Sequence, residues 1–330
     1  MRSACRNNKE GLIVMIQLSF VIPCYGSENT IETVYNEIVE KIGEKTDHDY
    51  EIIAVNDCSP DGVLSVLHHL NARDPKFKII NLARNMNRPG AVMAGLNNAS
   101  GDIVIVMDDD GQCPMDRLWD LLEPLDNGFD VSMAKYPQRK QTLFKDFGTW
   151  VNKKMTEFIL KRPPDLEFTN FMAIKKYIVA ELVKYQNPYP YMTGLLLRTT
   201  KYITNVIMDE RERISGSTTF TFSKMVSLWI NGLTAFSILP LRVATFIGFA
   251  VSTVGFLFGI AVLIRKLLRP EIAAGYSSTI VSIFILHGMV LLILGMLGEY
   301  IGRIYICLNN SPQFVIKDKT GFDSSRHGND

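Results

Sequence analysis

The chain has 330 residues, 47% hydrophobic and 21% charged, with 35 Lys+Arg against 34 Asp+Glu. That length suggests about two domains with a substantial core and excludes a disordered chain. A net charge of +1 leaves no global basic surface for wrapping nucleic acid. Cys5, Cys24, Cys58, Cys113 and Cys307 are widely spaced, with no Cys-x-x-Cys pair and no histidine at zinc-ligand spacing, so reduced thiols and no structural zinc are expected.

Residues 1–15 read as a polar, patternless extension that targets nothing to secretion, and Met15 is a second possible start. Then strands and helices alternate. Short Val- and Ile-rich runs at 18–22, 51–56, 78–82, 103–107 and 130–134 are separated by helix-period segments at 31–42, 63–70 and 91–97. This alternation predicts an α/β domain with a mainly parallel sheet covered by helices. Ligands of such sheets bind beyond the carboxyl ends of the strands. Four polar clusters stand there: Pro23-Cys24-Tyr25-Gly26-Ser27-Glu28, Asn56-Asp57-Cys58-Ser59-Pro60-Asp61-Gly62, Ala83-Arg84-Asn85, and Asp108-Asp109-Asp110-Gly111-Gln112. No Gly-x-Gly-x-x-Gly follows the first strand and no Gly-Lys-Ser/Thr loop occurs, which argues against an NAD enzyme or a P-loop ATPase.

Three adjacent aspartates repel one another, and a cation or solvent must offset them. In an extended segment Asp108 and Asp110 face one way and Asp109 the other. With Gln112 they offer the hard oxygens that Mg²⁺ or Mn²⁺ takes from a protein, while water and a substrate diphosphate complete the shell. A solvated acidic turn is the plainer alternative; the position after an apolar strand, beside Asp57, favours the metal.

After the sheet, residues 142–160 read as a helix in which Lys145, Thr149, Asn152 and Lys153 interleave with Phe144, Phe147 and Trp150. Residues 220–235 read as an amphipathic helix at a membrane surface, with Trp229 suited to the interface. The charge then thins. Between 241 and 298 the charged side chains are Arg242, Arg265, Lys266, Arg269 and Glu271, and residues 243–264 and 277–298 are uncharged runs long enough to cross a bilayer, the second interrupted by His287. Two spans put both ends of the hairpin on one side. The loop between them carries three basic residues, but Lys201, Arg211, Arg213, Lys224 and Arg242 before the spans and Arg303, Lys317 and Lys319 after them place the N-terminal domain in the cytoplasm.

The four strand-end clusters, together with Gly101-Asp102, resemble the nucleotide-sugar domain of family 2 glycosyltransferases, with the GT-A fold. Phe236-Ser237 and Pro240-Leu241-Arg242, Gly298-Glu299-Tyr300-Ile301-Gly302-Arg303-Ile304-Tyr305, and Ser311-Pro312-Gln313-Phe314-Val315-Ile316 narrow the resemblance to the polyprenyl-phosphate glycosyltransferases, relatives of dolichol-phosphate mannose synthase and of undecaprenyl-phosphate sugar transferases. It implies a GT-A domain over 16–220, a juxtamembrane helix over 221–240, a transmembrane hairpin over 241–306 and a cytoplasmic tail over 307–330.

The resemblance also implies a multi-pass enzyme of the cell membrane. It would move one sugar, with inversion, from a nucleotide diphosphate, UDP favoured, to polyprenyl phosphate for cell-envelope glycans, with Mg²⁺ or Mn²⁺. Pro23, Tyr25, Glu28, Asp57 and Arg84 would hold the nucleotide sugar, Asp108 the ribose or the metal, and Asp110 and Gln112 the metal, with Asp108 and Asp110 as the catalytic pair. Lys135, Lys145 and Thr149, with Arg211 and Arg213, would hold the acceptor phosphate. Such an acceptor is already charged and needs no strong general base. Relatives can form tetramers, with a C-terminal strand over 314–316 a possible contributor.

Two departures from the family pattern stand out. Tyr25-Gly26-Ser27 replaces a common Tyr-Asn-Glu, and Asn85-Met86-Asn87-Arg88 replaces a common Asn-x-Gly, so Asn87 is expected to adopt the left-handed backbone of that glycine. Three alternatives stay open: a glycan or lipid hydroxyl as acceptor, which would require a base; GDP-mannose as donor; and a transporter or scaffold with a degenerate nucleotide domain.

Overall fold

The computed structural model describes residues 15–136, 157, 162–188, 190–211, 239–268, 276–308 and 312–322. The chain divides into two compact units, the first built mainly from 1–150, 162–219 and 311–330, the second from 151–161 and 220–310.

The first unit is an α/β fold around one eight-stranded, mostly parallel sheet, ordered β7-β5-β6-β4-β1-β2-β3-β8. Strands β1 (Ile16–Cys24), β2 (His48–Asn56), β3 (Phe77–Leu82) and β4 (Ile103–Val106) run parallel, each at the apolar run expected of it. Helices α1 (Ile31–Gly43), α2 (Val63–Arg73) and α3 (Asn87–Leu96) connect them. On α1 the buried residues Ile31, Val34, Tyr35, Ile38 and Ile42 recur at helical spacing, so one stripe enters the core while the opposite face meets water. Tyr35 meets Phe77 edge to face at 5.6 Å. Helix α3 is buried from Gly90 to Leu96. It lies so close to β1 that a Cβ on Gly95 would collide with Cγ1 of Val21.

Beyond β4 come α4 (Leu118–Asp126), β5 (Val131–Lys135), β6 (Met172–Lys175), α5 (Lys176–Leu182), α6 (Met192–Thr199) and β7 (Ile203–Ile207). Strand β6 lies antiparallel between β4 and β5, and β7 runs parallel to β5. The segment expected as a tail is not separate from the sheet. Residues Ile316–Thr320 form β8, antiparallel to β3 of the same chain, while Phe314, Ile316 and Phe322 pack on a cluster that contains Ile53, Val55, Ile80 and Leu82. Ahead of β8, the Gln313 amide donates to the carbonyls of Tyr185 (3.2 Å) and Asn187 (3.0 Å).

Away from the ligand end, β2 carries a buried charge. Glu51 is 2% exposed and accepts from Lys78 at 2.6 Å, from the Ser100 N–H at 2.7 Å and from Ser19 Oγ.

The second unit contains α7 (Leu239–Leu268) and α8 (Tyr276–Leu308). Within α7, Ala244–Ala261 is long and apolar enough to cross a membrane; in α8 the corresponding stretch, Leu286–Gly302, is shorter. One helix of the described residues therefore meets the length-and-composition requirement, where the uncharged runs suggested two. Phe246, Phe249, Phe256 and Phe258 on α7 and Leu291 and Leu294 on α8 are exposed. The juxtamembrane helix expected over 220–235 and the helix expected over 142–160 lie outside the described residues, apart from residue 157.

Candidate active site

Strand order reverses at β1, which has β2 on one side and β4 on the other, and the crevice beyond such a switch point is where open α/β sheets bind ligands. Register brings the polar clusters together. Cys24 pairs with Asn56 and Val21 with Val106, so the residues that follow all three strands emerge side by side.

The loops at this end brace one another. The Glu28 N–H donates to Asp61 Oδ2 at 2.9 Å, while its carboxylate accepts from the Gly62 N–H at 3.0 Å. A Cβ on Gly62 would crowd that carboxylate, so a side chain there would push the end of Glu28 aside. Ser59 Oγ accepts from the Gly26 N–H at 2.8 Å and donates to Asp61 at 2.6 Å. Asp57 is buried, and its Oδ1 accepts from the Met86 N–H at 2.6 Å; burial raises its carboxyl pKa, with the Met86 and Asn87 N–H groups opposing. Asn87 has φ 58°, the left-handed backbone expected where relatives have glycine. Glu28 and Asp57 therefore act on the loops themselves, whereas Pro23 is buried at the end of β1 and the Tyr25 ring is 55% exposed.

The aspartate triplet separates into three environments. Asp108 is held on both oxygens, by Arg88 Nε on Oδ1 and by Asn170 Nδ2 on Oδ2, each at 2.6 Å. Asp109 turns inward and accepts from the Tyr25 N–H at 3.0 Å; burial pushes its carboxyl up to about 6, and Asp108 adds to that. Asp110 accepts from the Gln112 N–H at 3.1 Å, and the Gln112 amide reaches Glu210 Oε1 at 3.4 Å and the Arg211 carbonyl at 3.3 Å. Asp108 and Asp109 thus have separate sets of partners.

These donors fit a hard divalent cation. Among the described residues no three His, Cys, Asp or Glu side chains converge into a complete cage. Mg²⁺ and Mn²⁺ sites of the nucleotide-transfer type draw only one or two carboxylates from protein and the rest from phosphate and water, and Asp108, Asp110 and the Gln112 side-chain oxygen are of the kind that would serve such an ion.

The basic residues are arranged differently from expectation. Lys135, at the end of β5, lies 3.4 Å from Glu167 and 3.1 Å from the Asp165 carbonyl. Arg211 touches the site through its backbone, but its guanidinium pairs with Glu37 at 2.9 Å and with Asp116, which neutralises the charge expected to meet a phosphate. Arg84 is exposed, with Nε 3.2 Å from Met86 Sδ and no contact to the triplet. Lys145, Thr149 and Arg213 lie outside the described residues.

Arg88 and Asn170 escaped the sequence reading. Asn170 stands opposite Asp108 because Val106 pairs with Met172 in the β4–β6 ladder, a register the sequence does not display. Arg88 had a signal: it directly follows the left-handed Asn87 in a loop already singled out. Cys24 and Cys113 are buried packing residues whose thiol pKa values burial raises, while Cys58 is exposed with φ 52°.

The sequence model described as Glycosyl transferase family 2 matches residues 19–182, from β1 to the end of α5. An uncharacterized glycosyltransferase of Bacillus subtilis, YkcC, is 31% identical over 94% of this chain and 96% of its own length. The SfII prophage-derived bactoprenol glucosyl transferase of Shigella flexneri is 32% identical over 92% of this chain and 98% of its own. Among solved structures, glucosyl-3-phosphoglycerate synthase from Mycobacterium tuberculosis in complex with Mn²⁺ and UDP-glucose aligns at a TM-score of 0.49 and 18% identity, covering 66% of this chain and 77% of that one.

Proposed function

The chain belongs to glycosyl transferase family 2 and is a glycosyltransferase, and from that premise we propose that it transfers one sugar from a nucleotide diphosphate, UDP favoured, to the phosphate of a membrane polyprenol. The observation that carries this reading is the extent of the match to a bactoprenol glucosyl transferase: it runs over 98% of that protein's length and so extends well beyond the sheet domain.

In this reading Pro23 and Tyr25 border the nucleotide, and Asp57 and Glu28 shape the loops that receive it. A Mg²⁺ or Mn²⁺ ion held by Asp110, Gln112 and Asp108 would neutralise charge building on the departing diphosphate. A phosphate monoester carries about −1.5 to −2 charges near neutral pH. It attacks without a strong base, and the proposal names none. Lys135, Lys145, Thr149 and Arg213 are the proposed acceptor-phosphate set; Arg211, paired with Glu37 and Asp116, is assigned to holding the 208–211 segment against Gln112. The exposed apolar side chains of α7 and α8 support a two-span hairpin that anchors a cytoplasmic catalytic domain to the cell membrane. Assembly into tetramers belongs to the same proposal.

The test is direct. Membranes containing the protein receive Mg²⁺, polyprenyl phosphate and labelled UDP-sugars or GDP-mannose, and a lipid-linked monosaccharide is the expected product. Its absence with every donor overturns the reading; product with GDP-mannose alone reassigns the base; transfer to a glycan or lipid hydroxyl instead would call for a base the proposal lacks.

A further inference from the structure

Asp108 is proposed above as part of a cation site, yet in the described structure both of its oxygens have partners. Arg88 Nε lies 2.6 Å from Oδ1, Asn170 Nδ2 lies 2.6 Å from Oδ2, and Arg88 Nη2 reaches the Asn170 carbonyl at 3.5 Å. The three residues close a ring at the mouth of the crevice. The Arg88 and Asp108 side chains are 33% and 24% exposed, so the pair is reachable from solvent rather than locked in the core. Arg88 is delivered by the first turn of α3, directly after Asn87 at φ 58°, and that loop is fixed by the Met86 N–H on Asp57.

A divalent cation that takes Asp108 as a ligand must approach a guanidinium already seated on the same carboxylate, and the two positive charges repel. A diphosphate changes the balance, because the planar guanidinium fork pairs with phosphate oxygens as well as it does with a carboxylate. We propose that Arg88 guards the cation site: without nucleotide it occupies Asp108 and opposes the metal, and the donor diphosphate draws it away, so that cation and nucleotide bind as a pair. Coupling of this kind is reciprocal, and each ligand raises the affinity of the other by the same factor. The inference rests on the divalent-metal reading above.

Mn²⁺ binding to the full-length protein in detergent, followed by electron paramagnetic resonance of the free ion, tests it without turnover. The wild type should bind Mn²⁺ weakly alone and about tenfold more tightly with UDP. Arg88→Gln should bind Mn²⁺ without UDP about tenfold more tightly than the wild type does without it, and should gain less than the wild type when UDP is added. Arg88→Lys, which keeps the cation, should stay close to the wild type. Arg88→Gln binding no more tightly than the wild type without UDP overturns the guard. Failure of the metal reading looks different: with UDP, the wild type would bind no more Mn²⁺ than Asp110→Ala.

Discussion

Asn170 Nδ2 donates to Asp108 Oδ2 at 2.6 Å from just ahead of the strand that runs opposite to β4, so the residue two places before β6 and the residue two places after β4 fix one another. The first aspartate of the triplet is thereby aimed by an element more than sixty residues away in sequence. Removing the amide leaves that oxygen unpaired. Asn170→Ala should raise the donor KM about tenfold, the equivalent of one hydrogen bond to a charged group, with a smaller effect on kcat. Asn170→Asp should be worse, because it sets a like charge against Asp108. Donor-saturation curves at fixed acceptor measure both; an unchanged KM in Asn170→Ala removes the positioning role.

Asp110→Ala should lower turnover by about a thousandfold or more, the scale of losing charge stabilisation on a leaving group. Chelation should abolish wild-type activity, and Mg²⁺ or Mn²⁺ should restore it. A near-normal rate in Asp110→Ala, measured as lipid-linked product over time, removes the metal assignment.

Glu51 makes stability depend on acid. Burial alone would raise its carboxyl pKa, but the Lys78 ammonium, Ser19 and the Ser100 N–H outweigh burial and leave it lowered. The folded value thus lies below the unfolded one, near 4.3 for a model glutamate. The stabilisation is complete above the unfolded value and is lost as pH falls through the folded one. Glu51→Gln should cost about 2 kcal/mol near neutrality. Its thermal midpoint should also fall less steeply than that of the wild type between about pH 5 and 3. Parallel midpoint curves would contradict the linkage.

Gly95→Ala should destabilise the sheet domain by about 1–3 kcal/mol, because the new Cβ meets the stiff, fully buried Val21 on β1. Denaturant titration reads the loss. Since α3 also carries Arg88, the same variant should raise the donor KM even at temperatures where it is folded.

Cys58 is exposed while Cys24 and Cys113 are buried, with their thiols pushed away from the reactive thiolate by burial. Mild alkylation of the native protein should modify Cys58 first of the three, slow the enzyme, and be suppressed by UDP. Peptide mass mapping identifies the site; alkylation of Cys58 that leaves activity untouched shows that the Asn56–Gly62 loop does not adjoin the bound donor.

Much of this was legible in the residues. The parallel strands announced themselves because Val and Ile runs buried on both faces have few alternative explanations, and the strand-end clusters follow from where such sheets bind ligands. Asn87 was legible as well, because few residues tolerate its backbone. What escaped depends on pairing over long distances. Met172–Lys175 is a four-residue strand with no pattern of its own, and Ile316–Thr320 alternates lysines as a protected edge does, so it read as a tail. The pairing of Arg211 with Glu37, across 174 positions, is likewise invisible to local pattern.

The return of β8 to β3 has a consequence for biosynthesis. Asn81 donates to Asp318 at 2.9 Å across 237 positions, and everything between β7 and β8, including both long helices of the second unit, is made in the interval. A chain emerging from the ribosome can assemble seven strands early, but the eighth arrives last, and the cluster around Ile80 and Leu82 lacks the cover of Phe314, Ile316 and Phe322 until then. Completion of the catalytic sheet is therefore timed by the helical pair that precedes its final strand, and a chain stalled within that pair carries an open edge.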